Sequence, residues 1–282
     1  MSETASGVVA ELLRRPRYEV IPVAGAADAV VATVPKEVKI TVTASPTKGI
    51  AGTLDLGERL AGAGYRVVPH ISARLVGDES ELESILARLD EHGVREVFVV
   101  AGDLRKPAGA FAGAFDLLSA MAKLGHRLEQ IGITGYPESH PFISDDETIR
   151  AMFAKEPLAT YIVSQISFNP NTIGTWVEHV RRRGTRLPIH IGVPGAVDRR
   201  KLLHISAKVG VGESIRFLSR HANWLRGLLK PGYSPDRLLA SLAPYAANAA
   251  NRIDGFHIYT FNEVERTEAW RQAAIERLSQ SV

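Results

Sequence analysis

The chain has 282 residues, 45% hydrophobic and 23% charged, with a formal net charge of +3. That is ordinary globular composition, and the basic excess is too small to argue for a nucleic-acid partner. The absence of cysteine excludes disulfide frameworks, thiolate nucleophiles and cysteine metal sites together, and no metal site is expected.

The chain opens with MSETASGVVAELLRR, acidic where a signal peptide would be basic, and no later run approaches membrane-spanning length. A soluble, cytoplasmic protein without a membrane partner is expected. Residues 1–17 read as a helical extension ahead of a catalytic domain at 18–282. Short apolar runs then follow at 18–23 (YEVIPV), 38–44 (VKITVTA), 65–71 (YRVVPHI), 96–102 (EVFVVAG), 130–136 (QIGITGY), 160–167 (TYIVSQIS), 187–193 (LPIHIGV) and 254–261 (DGFHIYTF). Between most of them lie helical stripes. In DESELESILARLDEHG, Leu82, Ile85, Leu86 and Leu89 share one face, with Asp78 and Glu81 spaced as a capping pair. Similar stripes run through GAFAGAFDLLSAMAKLG, TIGTWVEHVRRRG and NEVERTEAWRQAAIERL. The basic run Arg181, Arg182, Arg183 and Arg186 falls at a helix end, where cations complement the macrodipole.

Near-continuous apolar strands alternating with amphipathic helices imply a parallel sheet covered by helices. Eight such units predict a single-domain (β/α)8 TIM barrel, with 198–250 supplying extra helices between strands seven and eight. A doubly wound open sheet is the alternative, but the first turn, IPVAGAADAV, lacks the G-x-G-x-x-G spacing. A closed barrel needs no partner to complete its core, so a monomer is expected.

Barrel chemistry sits at the carboxyl ends of the strands. There the sequence offers Glu19, Thr43, His70, Asp103, the trio Tyr136, Glu138 and His140, Gln165, and Tyr259 with Asn262. Taken singly, each has a plain reading: His70 as a loop cap, Thr43 as a strand filler, Asp103 as a turn aspartate. Glu19 is harder to dismiss, because a carboxylate inside a buried strand needs a partner or a wet cavity. Polar residues at nearly every strand exit are together hard to assign to chance.

These residues carry a family resemblance. Y-E-V-I-P at 18–22, T-V-T at 41–43, P-H-I-S at 69–72, A-G-D at 101–103, G-Y-P-E-S-H-P at 135–141, Gln165 in VSQISF, and F-H-I-Y-T-F-N at 256–262 resemble methylenetetrahydrofolate reductases in order and spacing. The resemblance implies reduction of 5,10-methylenetetrahydrofolate to 5-methyltetrahydrofolate, a step in one-carbon metabolism toward methionine, with NADH or NADPH as reductant. Glu19 then matches the acid that opens the one-carbon bridge, and Asp103 the carboxylate that stabilises the resulting iminium ion. Gln165 matches a pterin contact, Thr43 lines the same pocket beneath Glu19, and Tyr259 joins the folate side. His70, Gly102, Tyr136 and His140 match residues that hold the dinucleotide cofactor, in the family a flavin adenine dinucleotide.

Several partners of that flavin depart from the pattern. Ala101 and Glu263 replace two arginines, Ala154 replaces a lysine, with Lys155 one residue away, and ASPTKGIAG replaces a glycine-rich, Arg-containing stretch after Thr43. A dinucleotide needs its pyrophosphate charge balanced, so these losses count against tightly held FAD. Three readings stand at this point: a reductase that transfers hydride directly from the nicotinamide, a conventional FAD-dependent reductase, and a folate- or nucleotide-binding barrel without activity.

Overall fold

In the computed structural model, which describes residues 3–44, 49–138, 143–197 and 234–280, eight parallel strands close into a barrel in chain order. They are β1 Arg17–Val20, β2 Lys39–Val42, β3 Val67–Ser72, β4 Glu96–Val100, β5 Gln130–Gly135, β6 Tyr161–Ser164, β7 Ile189–Pro194 and β8 Ile253–Tyr259. Each lies within or beside one of the eight apolar runs. Pairing of β1 with β8, Glu19 opposite Tyr259, closes the ring.

The helices follow the amphipathic stripes: α1 Glu3–Arg14, α2 Ala26–Thr33, α3 Gly49–Gly62, α4 Glu79–Glu91, α5 Ala114–Leu124, α6 Asp145–Lys155, α7 Pro170–Arg182, α8 Asp236–Ala247 and α9 Val264–Ser279. The α4 cap differs from expectation by one residue on one side. The Asp78 carboxylate accepts from the Glu81 N–H, as the spacing implies, while the Glu81 carboxylate reaches back to the Gly77 N–H rather than that of Asp78. Of the helices expected between strands seven and eight, α8 is present; those expected over 198–229 lie outside the described residues. Among the described residues no helix is long and apolar enough to cross a membrane.

Alternation along the strands divides the core into two regions. Outward side chains such as Ile40, Val42, Ile71, Val97, Ile133, Ile162 and Ile191 pack against the helices. A separate cluster of Val68, Phe98, Tyr161 and Val163 fills the barrel's centre. The outward Tyr18 hydroxyl donates to Glu268 (2.8 Å), and Arg271 pairs with Glu268 (2.7 Å) while donating to the Leu13 carbonyl (2.9 Å). This buried group ties α1 and α9 to the outside of β1, which fixes where the inward residues of β1 point.

At the end where the strands begin, polar side chains occupy the interior. Arg17 is paired with Glu96, donates to the Tyr161 hydroxyl (3.2 Å) and meets His190 Nε2 at 3.1 Å. Lys39 reaches the other Glu96 oxygen (2.6 Å) and Gln130 (3.1 Å). Arg181, from the basic run, donates to the Asn251 and Thr185 carbonyls (2.8 and 3.0 Å), pinning the end of α7 to the start of β8.

Candidate active site

At the opposite end, where the strands finish, the centre of the arrangement is Glu19. Its position on β1 is fixed from β8. The Thr260 hydroxyl donates to the Glu19 carbonyl (2.5 Å), and the Asn262 amide both accepts from the Ile21 N–H (2.7 Å) and donates to the Ile21 carbonyl (3.0 Å). Asn262 does this at φ 64°, a left-handed conformation that asparagine tolerates better than most residues.

Two imidazoles flank the Glu19 carboxyl. His257 Nε2 lies 2.9 Å from Glu19 Oε2, and His70 Nε2 lies 3.9 Å from the same oxygen. Both histidines are buried. Burial pushes Glu19 up from an ordinary carboxyl value of 4.5 to about 7, with His70 pulling weakly the other way. Burial likewise lowers His70 to about 4 and His257 to about 3, the latter helped by Arg17 one layer below. Burial therefore favours neutral imidazoles and raises the carboxyl between them toward its protonated form.

His257 was missed as a functional residue at the level of sequence. It lies within FHIYTFN, where the strand exit points instead to Tyr259 and Asn262. One side-chain oxygen of Glu19 and one ring nitrogen each of His70 and His257 all lie within 4.8 Å of one another, a grouping unanticipated from the sequence. The hydrogen bond between His257 and Glu19 accounts for two of the three, and His70 stands off at 3.9 Å.

Tyr259, two residues beyond His257 on the same face, sets its ring edge-on to His257 (4.9 Å between centroids) and donates to the Ser164 carbonyl (3.3 Å). Gly192 makes this possible, since a Cβ there would meet the Ser164 carbonyl at 2.2 Å and the Tyr259 ring at 2.9 Å. Burial raises the Tyr259 phenol well above its ordinary value, and Glu19 and Tyr136 add to the shift. Tyr136 is also raised, by burial first and with a contribution from Asp103. Glu19, Tyr259, Tyr136 and Asp103 thus form a chain of electrostatic neighbours across the mouth.

Asp103 itself is exposed, on the loop leaving β4. Gly102 turns the chain there at φ 92°, and a Cβ on it would strike the Ser72 hydroxyl at 1.9 Å. Arg74 braces the same loop by donating to the Leu104 and Ala112 carbonyls (2.9 and 2.8 Å). Gln165 is half-buried just past β6, with its N–H on the Gly135 carbonyl (2.8 Å). Thr41, not Thr43, stands opposite Glu19 in register. Thr43 shares its face one step nearer the mouth, so it lies above the acid rather than beneath it. His70, expected among the cofactor contacts, is inside the barrel with its ring edge-on to Phe98 (4.8 Å). Lys155 is buried in the last turn of α6, the end of that helix nearest the start of β6, with its ammonium lowered to about 8 by desolvation. His140 lies outside the described residues, as do 45–48 of the loop after Thr43.

Residues 23–210 match the family model described as methylenetetrahydrofolate reductase. The chain is also 29% identical over 120 residues to "Methylenetetrahydrofolate reductase 1" of Schizosaccharomyces pombe, an alignment covering 40% of this chain and 20% of that protein. The chain therefore spans about a fifth of the length of that curated relative. The family match takes in Thr43, His70, Gly102, Asp103, Tyr136 and Gln165 and stops short of Glu19, His257 and Tyr259. Closure of β8 onto β1 brings those three residues to the rest.

Proposed function

The chain belongs to the methylenetetrahydrofolate reductase family, and from that premise we propose that it reduces 5,10-methylenetetrahydrofolate to 5-methyltetrahydrofolate, taking hydride directly from NADH. The observation that carries the reading is Glu19, a carboxyl raised to about 7 by burial at the barrel mouth, where an acid is needed. A general acid works best with a pKa near the operating pH, and burial supplies that here.

The bridging carbon accepts hydride only after one of its two C–N bonds opens. Glu19 gives its proton to the departing folate nitrogen, the bond's electron pair stays with that nitrogen, and the carbon becomes an iminium on the other. Hydride from C4 of the dihydronicotinamide then forms the new C–H bond, leaving a methyl group and an oxidised nicotinamide. Asp103 faces the developing positive charge. Gln165, Thr43 and Tyr259 hold the pterin, and Gly102, Tyr136 and His140 the nicotinamide side.

What supports leaving the flavin out is the loss of cations that would balance its phosphates. Ala101 and Glu263 stand where the resemblance calls for arginines. Arg74 is committed to two backbone carbonyls. His70 turns inward to Glu19. A nicotinamide bound beside the folate replaces a relay by proximity.

The test is NADH oxidation that depends on methylenetetrahydrofolate, with both substrates varied. Direct transfer requires a ternary complex and gives intersecting double-reciprocal lines in protein that releases no flavin on denaturation. Parallel lines with released flavin would return the chain to the flavin-dependent scheme. Folate binding without turnover would leave a binding protein. The same assay with NADPH decides the nicotinamide, a lower kcat/KM than with NADH being expected.

A further inference from the structure

Glu19 has two oxygens, and the structure treats them differently. Both histidines address Oε2, His257 at 2.9 Å and His70 at 3.9 Å, so Oε1 is the oxygen without a histidine. The hydrogen bond to His257 has a direction that burial decides. His257 Nδ1 is buried without a hydrogen-bond partner. If the proton sat on Nδ1, a buried N–H donor would be orphaned, whereas a bare Nδ1 leaves only an unused lone pair; orphaned buried N–H donors are the rarer and more costly case. The favoured tautomer of a neutral His257 therefore carries its proton on Nε2 and donates it to Glu19 Oε2.

We infer that His257 is a positioning residue for the acid: by holding Oε2 as a permanent acceptor it leaves Oε1 as the oxygen that carries and delivers the proton, and it keeps the acid strong enough to donate near neutral pH. This rests on Glu19 being the acid of the reaction. His257 touches neither folate nor nicotinamide in this scheme and acts through Glu19. A hydrogen bond donated to a carboxylate favours the charged form, so it opposes the upward push of burial. It also persists after proton transfer, stabilising the carboxylate when the conjugate base forms. His70, unpartnered at Nε2 and aimed at the same oxygen, is placed to add a second such bond after a small closing movement.

Among the described residues His70 is the other group that acts on Glu19 in the same direction. The titratable side chains facing Glu19 are His70 from β3 and Tyr259 and His257 from β8, while β2 offers Thr41, which does not titrate. Arg17, one layer down on the same strand, acts on His257. Tyr259 has its phenol raised by burial and by Glu19, and stays neutral through the working range.

The experiment reads Glu19 directly. In protein carrying ¹³C-labelled glutamate, with Glu19→Gln used to assign the signal, the carboxyl carbon of wild type should titrate near neutral pH. His257→Leu should move that midpoint upward by about one pH unit or more, the scale of a lost hydrogen bond to a buried carboxylate. His257→Gln, whose amide can still donate, should bring it most of the way back. In turnover, the basic limb of the kcat/KM profile should shift upward in the leucine variant and return in the glutamine variant, which a purely structural role for His257 would not produce. Superimposable titrations in wild type and His257→Leu overturn the inference. Should the leucine variant fail to fold, ¹⁵N-histidine spectra of wild type decide: a protonated-type Nε2 with a bare-type Nδ1 supports it, and the reverse tautomer overturns it. The carbon and nitrogen signals need no turnover, so failure of the reductase assay with these signals as expected would count against the proposed reaction and not against the pairing.

Discussion

Two of the barrel's strands, β1 and β4, each carry an inward-facing glutamate, one near each end of the barrel, and the two are shifted in opposite directions. Glu96, where the strands begin, is pushed up by burial, but Arg17 and Lys39 more than offset that and leave it below the ordinary value. Glu19, where the strands finish, is also pushed up by burial, and the two groups beside it are imidazoles that burial itself keeps neutral. Burial alone therefore does not decide what a carboxyl in a barrel becomes; the charge state of its neighbours does. Two cations make Glu96 a fixed anion and a structural brace. Two neutral histidines leave Glu19 raised, as the acid proposed for the reaction would need to be.

The largest effects should separate these roles. Glu96→Gln strands Arg17 and Lys39 in the interior and should destabilise the fold by about 3 to 5 kcal/mol, the scale of a broken buried ion pair. Denaturant unfolding measures it, and whatever protein remains folded should keep its pH profile. Glu19→Gln should do the reverse, lowering turnover by roughly a hundredfold or more while folate binding and folding survive. Near-normal turnover in that variant removes Glu19 from the chemistry, and a large stability loss would mean that the two ends are less different than their neighbours suggest.

Stability against pH sharpens the contrast, because the signs are opposite. Glu19 has a folded value raised from 4.5 to about 7, so its contribution is fully present below about 4.5 and is lost as pH rises through 7. At about 1.4 kcal/mol per unit the loss is on the order of 3 kcal/mol. Glu96 is depressed when folded, so its contribution is present above the unfolded value and disappears as pH falls through the folded one. Glu19→Gln should therefore be more stable than wild type at pH 8 and indistinguishable from it below pH 4.5. A constant difference across that range would show that Glu19 does not titrate as its surroundings require.

The two ends also differ in how much of them could be read in the sequence. The eight strands were legible because strands buried on both faces form unbroken apolar runs, and Glu19 stood out as a charge inside one. The site collected at the strand exits contained Glu19, His70, Tyr136, Gln165 and Tyr259 for the same reason. His257 was hidden in plain view, because a histidine between Phe256 and Ile258 reads as strand filler until its partner, 238 residues away, is placed beside it. The Arg17, Lys39 and Glu96 group was invisible for a different reason. Polar residues at strand entries are the ordinary flank of an apolar run, and nothing local says that three of them meet inside a barrel. The one-residue shift in the α4 cap belongs to the same class, since spacing identifies a capping pair without fixing which N–H each side chain takes.

Smaller effects should come from residues that serve Glu19 without sharing its proton. Gln165→Ala should weaken folate binding by about 1 to 3 kcal/mol, by leaving polar pterin edges unpaired in a desolvated pocket. Calorimetry with the folate product reads this directly, and an unchanged dissociation constant would mean that the side chain past β6 points elsewhere.

The smallest effect concerns how β1 is held at its two ends. Its entry is held by the Arg17–Glu96 ion pair, and its exit by hydrogen bonds, from β8 the Thr260 hydroxyl on the Glu19 carbonyl and the Asn262 amide on Ile21, and from the other side the Thr43 N–H on the Val20 carbonyl (2.9 Å). Thr260→Val keeps the shape and removes the bond to the Glu19 carbonyl together with the one the hydroxyl accepts from the Asn262 N–H (3.2 Å), while the Thr260 N–H remains 3.3 Å from the same carbonyl. The loss should be about 1 to 3 kcal/mol in stability, the net value of two hydrogen bonds. Its functional effect should be disproportionate, because a small displacement of the Glu19 backbone changes the distance to His257 and to the reacting nitrogen alike. A fall in kcat of several-fold with KM nearly unchanged is expected, since the acid acts in the transition state and not in binding. If kcat is untouched while stability drops, the remaining backbone bonds and the Asn262 side chain are sufficient to hold the acid in place, and the exit of β1 is more rigid than its few side-chain hydrogen bonds imply.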